Sequence, residues 1–167
     1  MNNAKNKVVF KETSYRLNKT VPYYILEEGI GLNGSYDVEA EISVRKHTDT
    51  YVATITASAR TNSGKNGKVV FSCVANMYVN GGKRDSKKLQ GGDKEVQNAT
   101  MARLGATSFV LPVWESDVEI ELEVGYLLYT LTGMHGATNK VGNWLNRNDW
   151  KKVGNFFGAI RQKLLIL

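Results

Sequence analysis

Cysteine, histidine and proline are scarce in this chain of 167 residues. Its one cysteine, Cys73, lies in an apolar run, which favours a buried thiol over a nucleophile or ligand. A single cysteine excludes a disulfide within the chain, which suits a reducing compartment. His47 and His135 are far apart, and no Cys/His cluster has metal-ligand spacing. We therefore expect no enzyme, metal, cofactor or small-molecule substrate.

Long apolar runs and linker-like tracts are absent as well. The two prolines are Pro22 and Pro112, and nothing in the composition divides the chain, so its length predicts a single domain. No segment approaches the length that crosses a bilayer, and the start lacks the apolar core of a secretory leader. We expect no membrane contact.

What the chain has instead is an uneven distribution of charge. It carries 22 basic and 16 acidic residues, a net charge of +6. Acids concentrate at 37–41 and 115–123, and basic residues dominate 60–88 and 140–163. A mildly basic balance is compatible with nucleic acid or another anionic surface, but many basic proteins bind neither.

The first two thirds of the sequence predict strands. Apolar and polar residues alternate over 36–46, 51–60 and 68–79, as in strands with one buried face. We predict an N-terminal hairpin at 7–28, turning around Asn18. After 68–79, residues 80–98 predict a long polar loop, and 99–113 predicts the last strand of the meander.

Two interpretations compete for the segment at 117–132. Ser116 and Glu119 form a capping box, acids follow at the helix start, and Gly133 can end the helix, which favours a helix. The same residues also alternate strictly between apolar and acidic, which is the period of a strand. We adopt the helix, together with a C-terminal helical extension at 136–167. The predicted fold class is therefore α+β, with helices covering one face of an antiparallel meander over 36–113.

The order of these elements resembles the coat proteins of single-stranded RNA bacteriophages, and the local likeness is strongest at 108–117. The resemblance implies an obligate homodimer in which each subunit's helices cross its partner's sheet. Such dimers assemble into an icosahedral shell around genomic RNA. It also implies a virion protein that assembles in the cytoplasm of a bacterial host.

The resemblance also implies site residues. The RNA-binding set on the sheet face away from the helices would comprise Arg45, Thr54, Thr56, Ser58, Arg60, Lys68, Ser72, Asn76 and Tyr78. Basic and hydroxyl side chains can bind phosphate, and a tyrosine can stack on an unpaired base. The dimer interface would include Val118, Leu122, Tyr126 and Tyr129. The loop at 80–98 would join dimers through Lys83, Arg84, Lys87 and Lys88.

Two alternatives remain open at this point. The bacterial preprotein-export chaperone, a holdase for unfolded chains, also has a four-stranded meander followed by helices, although that family tends to be acidic. The second alternative is a small RNA-binding regulator that binds through its sheet and does not assemble into a shell.

Overall fold

The computed structural model describes residues 7–27, 30–61, 67–89, 94–96, 101–131 and 150–167. These residues form nine strands in two antiparallel sheets. The first sheet has the order β1-β2-β3-β7, and the second has the order β5-β4-β8-β9 with β6 paired to β4. The strands are β1 Thr13–Glu27, β2 Ile30–His47, β3 Thr50–Thr61, β4 Gly67–Val79, β5 Gly82–Lys88, β6 Lys94–Val96, β7 Ala102–Val110, β8 Val118–Leu131 and β9 Trp150–Lys163.

The predicted α+β class is wrong, because both segments assigned to C-terminal helices form strands where they are described. The segment 118–131 is β8, and 150–163 is β9. The apolar residues of the alternating run, Val118, Ile120, Leu122 and Val124, are all buried. An edge of β4 pairs with this run along its length, and Ile120 lies opposite Met77. A capping box stabilises a helix by about 1 kcal/mol. Pairing with β4 buries four apolar side chains, and that burial stabilises the strand by more.

The N-terminal hairpin predicted at 7–28 is also wrong. β1 runs without interruption from Thr13 to Glu27 and pairs with β2 throughout. Two of the residues expected to turn the chain, Asn18 and Thr20, instead lie opposite Glu39 and Asp37 on the outer face, where the Thr20 hydroxyl donates to the Asp37 carboxylate at 2.6 Å. The first hairpin whose turn lies within the described residues is instead the one between β2 and β3, with Thr48 and Asp49 in that turn.

The predicted single meander over 36–113 is divided between the two sheets. β3 pairs with β2 on one side and β7 on the other, whereas β4 pairs with β5, β6 and β8. Strands β3 and β4 are therefore consecutive in the chain but belong to different sheets. This placement decides where the candidate site residues lie.

The predicted loop at 80–98 contains two strands. β4 turns directly into β5 through Asn80 and Gly81, whose φ angles are 51° and 81°. Positive φ at both central residues is the requirement of a type I′ hairpin turn, and Asn-Gly is its preferred sequence. The dipeptide was a signal for this hairpin that the loop prediction overlooked.

The buried faces of the two sheets pack against each other and form one apolar cluster. Aromatic edge-to-face contacts contribute, with Tyr36 and Phe71 ring centroids 5.4 Å apart. A lysine bridges the sheets on each side: Lys19 Nζ donates to the Ala159 carbonyl at 3.2 Å, and Lys87 Nζ to the Ser108 carbonyl at 2.8 Å. None of the described residues belongs to a helix with the length and apolar character that a bilayer crossing requires.

Candidate nucleic-acid interface

The structure does not bring the nine predicted RNA-binding residues together. Arg45, Thr54, Thr56, Ser58 and Arg60 lie on β2 and β3, on the outer face of the first sheet. The other four, which are Lys68, Ser72, Asn76 and Tyr78, lie on β4 of the second sheet. Since the sheets pack through their buried faces, their outer faces point in opposite directions. One extended ligand would have to pass around the molecule to contact both sets.

The outer face of the first sheet is poorly suited to phosphate. It holds an open groove of about 410 Å³, lined on its polar side by Arg16, Asn18, Glu39, Glu41, Thr56 and Ser58. Arg16 Nε lies 3.5 Å from a Glu41 oxygen, and Arg60 Nε lies 2.9 Å from an Asp37 oxygen. The two arginines therefore already face carboxylates, and Glu39 adds a further negative charge that repels a phosphate.

On the outer face of the second sheet, Asn76 and Tyr78 belong to a hydrogen-bond network centred on Glu121. Asn76 Nδ2 and the Tyr78 hydroxyl donate to Glu121 Oε1 at 3.0 and 3.1 Å. Arg161 Nη2 donates to Glu121 Oε2 at 2.9 Å, and the Ser86 hydroxyl donates to Asn76 Oδ1 at 2.7 Å. We call Ser86, Asn76, Tyr78, Glu121 and Arg161 the Glu121 network. It connects β5, β4, β8 and β9 across the full width of the sheet.

The centre of the Glu121 network is buried and charged, and its members hydrogen-bond one another. Asn76 is fully buried, and Glu121 retains only 8% of its exposed area. Burial alone would raise the pKa of Glu121, but the hydrogen bonds from Asn76, Arg161 and Tyr78, with the positive charge of Arg161, hold it below the ordinary carboxyl value. The Arg161 guanidinium also lies 4.1 Å from the Tyr78 ring centroid, a cation–π distance. That ring face is therefore unavailable for stacking on a base.

Two of the four predicted dimer-interface residues have described side chains, and both are buried inside the subunit. Val118 and Leu122 are 0% and 2% exposed and belong to the chain's own core, so neither presents a surface to a partner. Tyr126 and Tyr129 lie in β8, and their side chains fall outside the described residues.

The four cations assigned to the polar loop lie instead on a strand at the edge of the second sheet. β5 pairs with β4 alone, and all seven of its residues are exposed. It carries Lys83, Arg84, Lys87 and Lys88 against the single acid Asp85. We call these four cations the basic edge. No other described strand carries cations at this density, which is four in seven residues.

The register of β5 shows how the basic edge is arranged. Lys88 and Lys83 are opposite Val74 and Tyr78, which are on the outer face of β4. Arg84 is the extra residue where the register shifts. Neither Lys83 nor Arg84 forms an ion pair with another described residue.

A groove separates the basic edge from β7 of the first sheet. Its volume is about 570 Å³, and Lys87, Lys88, Ala106, Thr107 and Ser108 line it. Lys87 reaches across, where its ammonium lies 5.3 Å from the Phe109 ring centroid. The groove thus has a cationic wall on β5 and a floor of small and hydroxyl side chains on β7, an arrangement that admits a phosphate–sugar backbone.

The remaining reactive groups offer no competing site in the part of the chain that the structure describes. No group of three or more His, Cys, Asp or Glu side chains there is arranged to hold a metal ion. Cys73 is buried, and burial raises the pKa of its thiol to about 12, so the reactive thiolate is scarce at neutral pH.

Comparison with known proteins adds no family assignment, because no protein-family model, curated protein or solved structure matches the chain.

Proposed function

We propose that this protein binds single-stranded RNA along the basic edge. The observation that supports the proposal is the concentration of four cations and one acid on an exposed edge strand. Lysine and arginine side chains bind nucleic acid chiefly by displacing counterions from phosphates. This requires local positive charge and little shape complementarity. The charge of the edge supports a nucleic-acid ligand, and the choice of single-stranded RNA retains the prediction made from the sequence.

The alternative surfaces on the described residues are less suitable. The three carboxylates of β2 face outward on the first sheet, and Glu119, Glu121 and Glu123 face outward on β8 of the second. Phosphate contacts on either face would meet like charge. The groove beside β5 also gives a strand of RNA room to lie against Thr107 and Ser108.

The test is a matched pair of triple variants titrated with fluorescent oligouridine at several salt concentrations. Lys83→Gln, Arg84→Gln and Lys88→Gln together should weaken binding. They should also lower the slope of log K against log salt by about 2, since each lost contact to a single strand contributes about 0.7. The control triple removes Arg16, Arg45 and Arg60 from the first sheet in the same way and should leave both quantities nearly unchanged.

Two outcomes would contradict the proposal. If both triples weaken binding equally, only net charge matters and the basic edge is not the site. If the edge triple binds like the unmodified protein, RNA lies elsewhere or is not a ligand. Single-stranded DNA of the same length, titrated in parallel, tests whether the sugar is recognised.

The second candidate is the coat role itself, in which copies of the chain assemble around RNA. The supporting observation is a set of exposed apolar side chains near one end of the molecule. Val9, Trp114 and Ile166 are between 47% and 48% exposed, and backbone hydrogen bonds from Val8 to Val113 and from Leu167 to Val9 bring their segments side by side. Large exposed apolar patches are typical of association surfaces.

Size-exclusion chromatography with absorbance at 260 and 280 nm separates the candidates. Megadalton particles that contain nucleic acid support the coat role. A small complex with nucleic acid supports an RNA-binding regulator, and a small oligomer without it supports a holdase. Substituting Trp114 with serine should abolish the large particles if this patch joins the subunits.

A further inference from the structure

We infer that Glu121, acting through Asn76, is the positioning residue of the basic edge. The inference rests on the proposed RNA-binding role of that edge. It gives the buried carboxylate of Glu121, on the outer face of the second sheet, the role of positioning β5. Buried charges are costly unless they are fully hydrogen-bonded. The carboxylate of Glu121 accepts hydrogen bonds from Asn76 and Tyr78 of β4 and from Arg161 of β9, which meets that condition.

β5 has few attachments to the rest of the second sheet. Among the described strands its ladder involves β4 alone, its seven residues are all exposed, and the ladder is interrupted by the register shift at Met77 and Tyr78. An edge strand with so little buried surface opens locally at low cost. Lys87 attaches β5 to the first sheet through the Ser108 carbonyl, and the Ser86 hydroxyl attaches it to β4 through a 2.7 Å hydrogen bond to Asn76 Oδ1.

The direction of each hydrogen bond explains how Glu121 acts on Ser86. A carboxylate only accepts, so Asn76 must turn its Nδ2 group toward Glu121. Asn76 then presents Oδ1 to β5, and Ser86 must donate. Asn76 is fully buried, so water cannot replace either contact. The ionised carboxylate thereby fixes the amide orientation in which Asn76 accepts from the Ser86 hydroxyl, which lies between the cations of the basic edge.

Two variants test this assignment. Ser86→Ala removes the hydroxyl at the end of the chain of hydrogen bonds. Glu121→Gln replaces the carboxylate by an amide that can either donate or accept, so the orientation of Asn76 is no longer imposed. Ser86→Ala should increase hydrogen exchange of the β5 amides relative to those of β2 and β3, and it should weaken oligouridine binding by about three- to tenfold, the worth of one hydrogen bond. Glu121→Gln should change both readouts in the same direction by less, because the Ser86 hydroxyl can also accept from a flipped Asn76 amide.

Controls separate positioning from charge and from general stability. Ser86→Thr keeps the hydroxyl and should restore both readouts, and Ser43→Ala removes a hydroxyl from the first sheet and should change neither. In Ser86→Ala the salt slope of RNA binding should stay unchanged, because no cation is lost.

The exchange measurement needs no RNA, so it decides the positioning role even if the protein proves not to bind RNA. Unchanged β5 exchange in Ser86→Ala would overturn the inference. In the same Ser86→Ala variant, an increase in exchange spread evenly over β4, β8 and β9 would also overturn it, because it would indicate a loss of general stability.

Discussion

Each sheet carries three carboxylates in a row on the outer face of an interior strand. On β2 they are Asp37, Glu39 and Glu41, and on β8 they are Glu119, Glu121 and Glu123. In both rows an arginine of a neighbouring strand pairs with a carboxylate. The pair of Arg16 and Glu41 is open to solvent, with side chains 87% and 42% exposed, whereas only 11% of the Glu121 side chain is exposed.

The difference shows that neighbours, and not the alternating pattern itself, set the energetic role of a surface carboxylate. Exposed ion pairs contribute little because water and salt screen them. Glu121 has the buried amide of Asn76 beside it, so its removal leaves a buried polar group without a partner. Three measurements can break or sharpen this comparison.

The largest effect is expected from removing the carboxylate at matched positions of the two rows. Glu121→Ala should lower the free energy of unfolding by about 1–3 kcal/mol, because it leaves the Asn76 amide unsatisfied in the interior. Glu41→Ala should change it by less than about 0.5 kcal/mol. Urea unfolding followed by circular dichroism measures both, and equal losses would contradict the distinction between the rows.

A smaller effect is expected from acid. The pKa of Glu121 in the folded protein is held below its ordinary value of 4.5. The stabilisation from this group is therefore complete above the unfolded value and is lost as the pH falls through the folded one. Below the pKa of Glu121 in the folded protein, the free energies of unfolding of the unmodified protein and of Glu121→Gln should converge. Chemical unfolding between pH 7 and pH 3 measures this, and parallel curves would exclude a role for ionised Glu121.

The smallest effect is expected at the ion pair of Arg60 and Asp37, whose atoms are 2.9 Å apart. The Arg60 side chain is 46% exposed, so Arg60→Gln should change the free energy of unfolding by less than about 0.5 kcal/mol. The change should disappear at 1 M salt. A larger, salt-resistant loss in urea unfolding would show that the first sheet also depends on a specific ion pair.

Strict alternation was sufficient to predict β3, β4 and the part of β2 from residue 36 onward. It was present in β8 too, but helix signals from Ser116 and Glu119 coincided with it. Only the register with β4, which lies about 45 residues earlier, decides between the two. Such a pairing is a long-range property that no local window contains. β5 differs from β8 in this respect, because the local dipeptide Asn80-Gly81 indicates a hairpin turn between β4 and β5.

The sequence analysis assigned the four cations of the basic edge to a polar loop and to contacts between dimers. It predicted neither the RNA-binding role proposed for Lys83, Arg84, Lys87 and Lys88 nor their place on an edge strand. The Glu121 network could not be derived, because Asn76, Glu121 and Arg161 become neighbours only through the order β4-β8-β9. The RNA-binding set placed on β3 and β4 assumed that consecutive strands share a sheet.

The two lysines that bridge the sheets give the molecule a chemical sensitivity at its margins. Lys19 and Lys87 each donate from an ammonium group to a carbonyl on the opposite sheet. Acetylation removes that charge and two of the three donor hydrogens. Chemical acetylation of Lys19 or Lys87 is therefore expected to weaken the contact that joins the two sheets on that side.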